Sequence, residues 1–295
     1  MAFAETYRRQ VSLLIRTLPH VASEACFALK GGTAINLFVR NMPRLSVDID
    51  LTYVPVEARS QSLATIDAAM KRIAGRTRAS IAGAQVTIGE IENTITKLFV
   101  RADGAQIKIE VTPVLRGCVF EPELRTAAPA VEVMFGFAEI PVVSFADLYA
   151  GKIVAALDRQ HPRDLFDIRD LLALEGIDDD LRCAFIVYLL SHDRPMFEVL
   201  APRRKDFAEE YLRGFEGMTD SPVSQDELRA TREELVATIV SQMPDGHRRF
   251  LISFERGVPN AAALPAILWR QQNLDKLSEE KRAALVGRLS EILGE

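Results

Sequence analysis

Paired cysteines are missing from this sequence. Its three, Cys26, Cys118 and Cys183, are odd in number, far apart and without a CxxC spacing. That excludes a disulfide framework and a zinc knuckle, and it fits a reducing cytoplasm. Histidine is scarce as well. His20, His161, His192 and His247 are scattered, none at metal-ligand spacing with another, so no Ser-His-Asp triad can be built and capping or surface roles are expected. Long apolar runs are absent: no segment reaches the roughly 20 residues of a membrane-spanning helix. Glu5, Arg8, Arg9 and Arg16 interrupt what would be the apolar core of a signal peptide. The expectation is a soluble, cytoplasmic protein with no membrane partner. Positive charge is not in surplus, since 36 Lys and Arg face 41 Asp and Glu for a net of −5, which taken whole argues mildly against a general polyanion binder.

What is present is an ordinary globular composition, 48% hydrophobic and 26% charged, with a mean hydropathy of +0.05. The 295 residues are enough for two domains on a prior of about 150 residues each. Residues 5–18 read as a helix and 26–30 as a short apolar strand running into Gly31-Gly32-Thr33. Ile35, Leu37, Phe38 and Val39 then form the face of a second helix. Residues 45–52 alternate strictly, with Leu45, Val47, Ile49 and Leu51 on one side and Ser46, Asp48 and Asp50 on the other. A helix over 57–74 and strands at 85–92, 96–102 and 106–112 follow, the last placing Lys108 and Glu110 on its polar face. A hairpin-like pair is expected around 130–135 and 139–143. Ser144, with Asp147 three residues on, has the form of a helix N-cap. That helix runs to about Arg159, and another spans 163–174 after the His161-Pro162 break. Beyond residue 178 only helical patterns appear, at 178–190, 204–215, 224–241, 244–255, 263–270 and 275–293. The predicted class is α+β: a mixed α/β domain over residues 1–143 and an all-helical domain over 144–295.

The chemistry points to Gly31-Gly32-Thr33 followed, across one helix, by Asp48-Ile49-Asp50 on a strand. Two aspartates at i and i+2 share one face, and like charges that close favour a cation between them. A hard divalent ion such as Mg²⁺ takes oxygen ligands from one or two carboxylates and from substrate phosphates. The glycine turn offers backbone N–H groups to a phosphate. Glu110 is a candidate third carboxylate, and three carboxylates suit nucleotidyl displacement. A lone DxD is more often a solvated strand face; the joint pattern favours function.

These residues resemble the AbiEii/AbiGii-type (MenT-like) nucleotidyltransferase toxins of the DNA polymerase β-like nucleotidyltransferase superfamily. Leu29-Lys30-Gly31-Gly32-Thr33-Ala34 with Arg44 to Leu51 is similar to the family's G[GS]-helix-DxD motif. Lys108-Ile109-Glu110 resembles its second motif, Asp147 to Lys152 its lysine-bearing helix, and Arg163-Asp164-Leu165-Phe166-Asp167-Ile168 its DhxD helix. The resemblance implies a polymerase β-like domain with a mixed sheet, followed by the helical domain. It implies metal binding by Asp48, Asp50 and Glu110, and nucleotide or phosphate binding by Gly31, Gly32, Thr33, Lys108 and Lys152. Asp164 and Asp167 would support catalysis, although their helix also reads as a salt-bridged exposed face. Mg²⁺ (or Mn²⁺) would be the cofactor and NTP the co-substrate. The partners would be tRNA as acceptor at its 3′ end, so that translation is blocked, and a cognate antitoxin protein, in a toxin–antitoxin or phage-defence pair. Transfer to a small molecule or a protein is the alternative reaction, and a non-catalytic nucleotide-binding module on the same fold is the alternative to an enzyme.

Two basic clusters, Lys71/Arg72/Arg76/Arg78 and Arg203-Arg204-Lys205, read either as RNA contacts or as solvated helix faces, and Trp269 reads as a packing residue. Residues 1–170 hold 20 Lys and Arg against 19 Asp and Glu, whereas 171–295 hold 16 against 22. The net charge of −5 therefore comes from the helical half, and an RNA acceptor is expected along the N-terminal half.

Overall fold

A computed structural model of the chain describes residues 3–257 and 277–294. Trp269 and the helix expected at 263–270 lie outside the described residues. The chain divides into two units, one of residues 1–148 with 215–222, the other of 149–214 with 223–295. Among the described residues no helix is long and apolar enough to cross a membrane.

The first unit is built on one mixed seven-stranded sheet of order β3-β4-β5-β2-β1-β7-β6. Its strands are β1 (Phe27–Lys30), β2 (Asp48–Tyr53), β3 (Gln85–Ile91), β4 (Thr94–Ala102), β5 (Ala105–Arg116), β6 (Glu123–Thr126) and β7 (Glu139–Val142). β2 runs parallel to β5 and antiparallel to β1. α1 (Glu5–Ala22) packs on β5 and β7, while α3 (Arg59–Ser80) packs on β4 and touches α1. These helices cover an apolar sheet face made by Ile49 and Leu51 of β2, Leu98 of β4 and Ile107 and Ile109 of β5, all buried. The strand period of two then places the intervening polar residues on the opposite face.

Between β1 and β2 lie α2 (Gly31–Ala34) and a wider π-helical turn, Ile35–Val39. Two expected elements differ. Leu45–Val47 alternates like a strand, yet β2 begins only at Asp48, because the preceding backbone is engaged by the distant segment 215–222. Leu45 N–H donates to the Met218 carbonyl at 2.7 Å, and Arg44 bridges Thr219. Residues 130–135 are helical rather than half of a hairpin. Pro129 starts α4 (Pro129–Phe135) at a position where its missing N–H costs nothing, and β7 pairs instead with β6 antiparallel and with β1 parallel.

The second unit is helical, as expected. α5 (Phe145–Arg159) enters it across the Leu148–Tyr149 division and is followed by α6 (Pro162–Leu174), α7 (Asp179–Leu190), the short α8 (Met196–Leu200), α9 (Ala208–Gly214), α10 (Gln225–Ser241), α11 (Asp245–Glu255) and α12 (Glu279–Leu293). Several caps are those the sequence signals. The Ser144 hydroxyl accepts the Asp147 N–H at 3.0 Å, and His161 Nδ1 accepts the Arg163 N–H at 3.1 Å at the start of α6.

Candidate active site

Strand register creates the site. Lys30 of β1 pairs with Asp50 of β2, Asp50 with Glu110 of β5, and Glu110 with Lys97 of β4. One row across four strands thus reads Lys, Asp, Glu, Lys on a single sheet face. The next row pairs Asp48 with Lys108. Neighbouring strands are about 4.8 Å apart, so directly opposed carboxylates repel. The flanking lysines offset that repulsion: Lys108 Nζ donates to Glu110 Oε2 at 2.7 Å, and Lys97 Nζ lies 2.9 Å from Glu110 Oε1.

The ionisation pattern follows. Burial alone would raise the Glu110 carboxyl, but its contacts with Lys108 and Lys97 bring it below the ordinary value. Burial alone would lower Lys108, but the hydrogen bond to Glu110 and the fields of Asp48 and Asp50 carry it above the ordinary value. For Lys30 burial prevails over the opposing field of Asp50, and its ammonium is lowered. The nearby Cys118 thiol is pushed up to about 12, by burial first and by Asp147 second, which keeps it neutral and no nucleophile.

The glycine turn is shaped around Asp50. Gly31 has φ +74°, a left-handed conformation that L side chains rarely adopt, and a Cβ there would lie 2.7 Å from Asp50 Oδ2. At Gly32 a Cβ would meet Arg44 Nη2 at 2.7 Å and Ser46 Oγ at 2.9 Å. Thr33, expected at a phosphate, is instead fully buried, with Oγ1 hydrogen-bonded to Ser46 Oγ at 3.0 Å and donating to the Asp48 carbonyl at 2.5 Å. It fastens α2 to the first residue of β2 and so holds Asp48 in place.

Asp48 and Asp50, both partly exposed on the polar face beside the bare Gly31 backbone, are an oxygen donor pair suited to a hard divalent cation. Glu110, expected with them as a metal ligand, lies in the same row but has an ammonium on each carboxylate oxygen. Among the described residues no group of three or more His, Cys, Asp or Glu converges as a metal site. The donor set that fits is the Asp48/Asp50 pair. Lys97 was not singled out from the sequence, because Thr94–Ala102 carries no motif and only the pairing with β5 gives Lys97 a carboxylate to face.

Lys152, Asp164 and Asp167 form a cluster of their own within the second unit. Lys152 Nζ donates to Asp164 Oδ1 at 2.8 Å and lies 2.9 Å from Asp167 Oδ2, with all three side chains buried. Arg159 adds Nε and Nη2 to the Asp164 carboxylate at 2.6 and 3.1 Å. Burial would raise that carboxyl, but Lys152 and Arg159 hold it well below the usual carboxylate range. In the first unit Asp147, five residues before Lys152 on α5, accepts the N–H groups of Val119 and Phe120 at 2.8 and 2.9 Å. The first basic cluster is structural: Arg72 and Arg76 both grip buried Glu24, Lys71 pairs with Asp67, and Arg78 donates to the Val86 carbonyl.

A family model described as "Nucleotidyl transferase AbiEii toxin, Type IV TA system" matches residues 12–275. No curated protein sequence matches. The solved structures that match include MenT4, a nucleotidyltransferase toxin from Mycobacterium tuberculosis H37Rv. The TM-score is 0.60 at 17% identity, over 97% of this chain and 93% of that one.

Proposed function

The chain belongs to the AbiEii family of nucleotidyltransferase toxins of type IV toxin–antitoxin systems, and from that premise we propose that it transfers nucleotides from NTP to the 3′ end of tRNA, blocking translation in the cytoplasm until a cognate antitoxin protein intervenes. The carrying observation is the charge row Lys30–Asp50–Glu110–Lys97 with Asp48 and Lys108 beside it. It supplies carboxylates for a cation and ammonium groups for a triphosphate on one sheet face.

In this reading Asp48 and Asp50 hold Mg²⁺ (or Mn²⁺), which when bound neutralises phosphate charge and lowers the pKa of an attacking hydroxyl. Gly31 and Gly32 let the turn lie directly against Asp50, Arg44 and Ser46, where any Cβ would collide, while Lys108 and Lys97 meet the triphosphate as compact cations. The incoming phosphates offer those two lysines an anionic partner other than Glu110, which frees its oxygens to complete the carboxylate set. Lys152, Asp164 and Asp167 act as a unit that organises the helices following the sheet.

Incubation with each α-labelled NTP, Mg²⁺ and total tRNA tests the reading. Label should enter tRNA, should depend on divalent metal, and should vanish in Asp48→Asn and Asp50→Asn. Label in protein or in a small-molecule fraction would replace the tRNA acceptor with one of the other classes. Full transfer by Asp48→Asn would refute the site.

A further inference from the structure

The second unit contains a cavity of about 610 Å³ whose charged wall consists of Asp158, Arg194, Glu198, Arg203, Lys205 and Arg288. Four cations face two carboxylates, and both carboxylates are held by one residue: Arg194 hydrogen-bonds to Asp158 and lies 2.8 Å from Glu198 Oε2. Among the described residues the lining offers Arg203, Lys205 and Arg288 no further carboxylate. Arg203 is exposed, and among the described residues Arg288 makes a loose, exposed ion pair of 3.7 Å with Glu291. This concentration of cations is the more notable because residues 171–295 carry a net charge of −6.

The loop bearing Arg203 and Lys205 is fixed from beneath. Gln160 is buried and holds the left-handed φ of +54°, a conformation that costs a non-glycine residue about 1 kcal/mol or more. Its side chain repays this by pinning the loop: Nε2 donates to the Arg203 carbonyl at 2.7 Å, and Oε1 accepts the Lys205 N–H at 3.0 Å. Arg232 Nη1 ties the same Oε1 to the Lys205 carbonyl. The Lys205 ammonium is steadied by the Asp158 carbonyl at 2.7 Å. Basic side chains on a backbone held this firmly form a preorganised anion site, and guanidinium groups match phosphate in shape and charge.

We propose that this cleft is a phosphodiester-binding site through which the helical unit grips the backbone of the RNA acceptor. It rests on the RNA-acceptor reading above and adds a docking site in the half of the chain whose overall charge is wrong for RNA. The acceptor then engages both halves of the sequence, rather than the N-terminal half alone. Arg203 and Arg288 contact phosphate, and Gln160 positions the loop.

The test is binding of fluorescein-labelled tRNA to the full chain by anisotropy, across a salt series. Arg203→Ala/Arg288→Ala removes two exposed cations and leaves the Gln160 frame intact. Each phosphate contact contributes about 0.7–0.9 to the slope of log K against log salt, so the variant's slope should be shallower by about 1.4–1.8. Its affinity should then fall roughly 7- to 12-fold less than the wild type's on going from about 50 to about 200 mM salt. Glu198→Gln should act in the opposite sense and tighten binding. NTP affinity should be unchanged in both variants. Wild-type RNA affinity and slope in the double variant overturn the proposal, whether or not tRNA remains the acceptor. A loss of NTP affinity equal to the loss for RNA also overturns it, since the cleft would then take free nucleotide. So does displacement of labelled RNA by polyglutamate as readily as by unlabelled RNA, which would make the cleft a site for acidic protein. Absence of RNA binding by the wild type, with NTP turnover intact, removes both the cleft and the RNA acceptor.

Discussion

Replacing Lys152 by Met isolates the ionic core of the helical unit. The substitution keeps the apolar stem and deletes an ammonium that lies 2.8 Å from Asp164 and 2.9 Å from Asp167, where the three side chains are 5%, 2% and 0% exposed. Breaking a buried pair by removing one partner costs about 3–5 kcal/mol. A second route gives the same size. The two carboxylates can relieve their repulsion if one takes up a proton, and neutralising an ordinary carboxyl of pKa about 3.9 at pH 7 costs roughly 4 kcal/mol. Because that route becomes cheaper with acidity, the penalty should shrink to roughly 1.5 kcal/mol at pH 5. Urea unfolding followed by circular dichroism at the two pH values measures both numbers. Adding Asp167→Asn to Lys152→Met should recover half or more of the loss at pH 7, while Asp164 keeps Arg159. A loss below about 1 kcal/mol that is equal at both pH values would refute the reasoning, and would make Lys152 an uncommitted cation of the kind that meets a triphosphate directly.

Two further outcomes are expected. Gly31→Ala should cost about 1–2 kcal/mol for its left-handed φ and should also abolish nucleotide transfer, since the new Cβ falls 2.7 Å from Asp50 Oδ2; Gly83→Ala, with φ +69° and no atom within 4 Å, should lose stability alone. His161, whose pKa burial and then Arg163 bring down to about 4, accepts the Arg163 N–H only when neutral. Its depressed folded pKa means that the unfolded chain binds the proton first, so stability should decline as pH falls from about 6.5 to about 4. In His161→Asn, which keeps a capping acceptor, that part of the pH profile should flatten, and an unchanged profile would remove His161 as its cause.

The parts legible in the sequence were those with local causes. Alternation in β2 announced which side Asp48 and Asp50 take, and Ser144 and His161 announced their helix starts, because strand period and capping depend on residues two or three apart. Long-range pairing was not legible. Nothing near residue 97 says that Lys97 will face Glu110, and nothing near residue 45 says that residues 218–220 will take the hydrogen bonds an earlier start of β2 would have used. At 129–135 the run of valine and phenylalanine suggested a strand, and proline at the first helical position prevailed. The motif around Lys152 was visible, whereas its commitment to Asp164 and Asp167 is a property of helix packing.

The return of residues 215–222 to the first unit carries a consequence for biosynthesis. Met218 and Thr219 hold the backbone at Arg44 and Leu45, immediately before the aspartate-bearing strand, and the Gly217 carbonyl accepts the Ala4 N–H at 3.0 Å. On the ribosome the strand that carries Asp48 and Asp50 emerges long before the segment that anchors its approach. A nascent or prematurely terminated chain ending before residue 215 therefore carries Asp48, Asp50 and Glu110 without the anchor that sets the approach to their sheet, and that approach is fixed only once residues 215–222 have emerged.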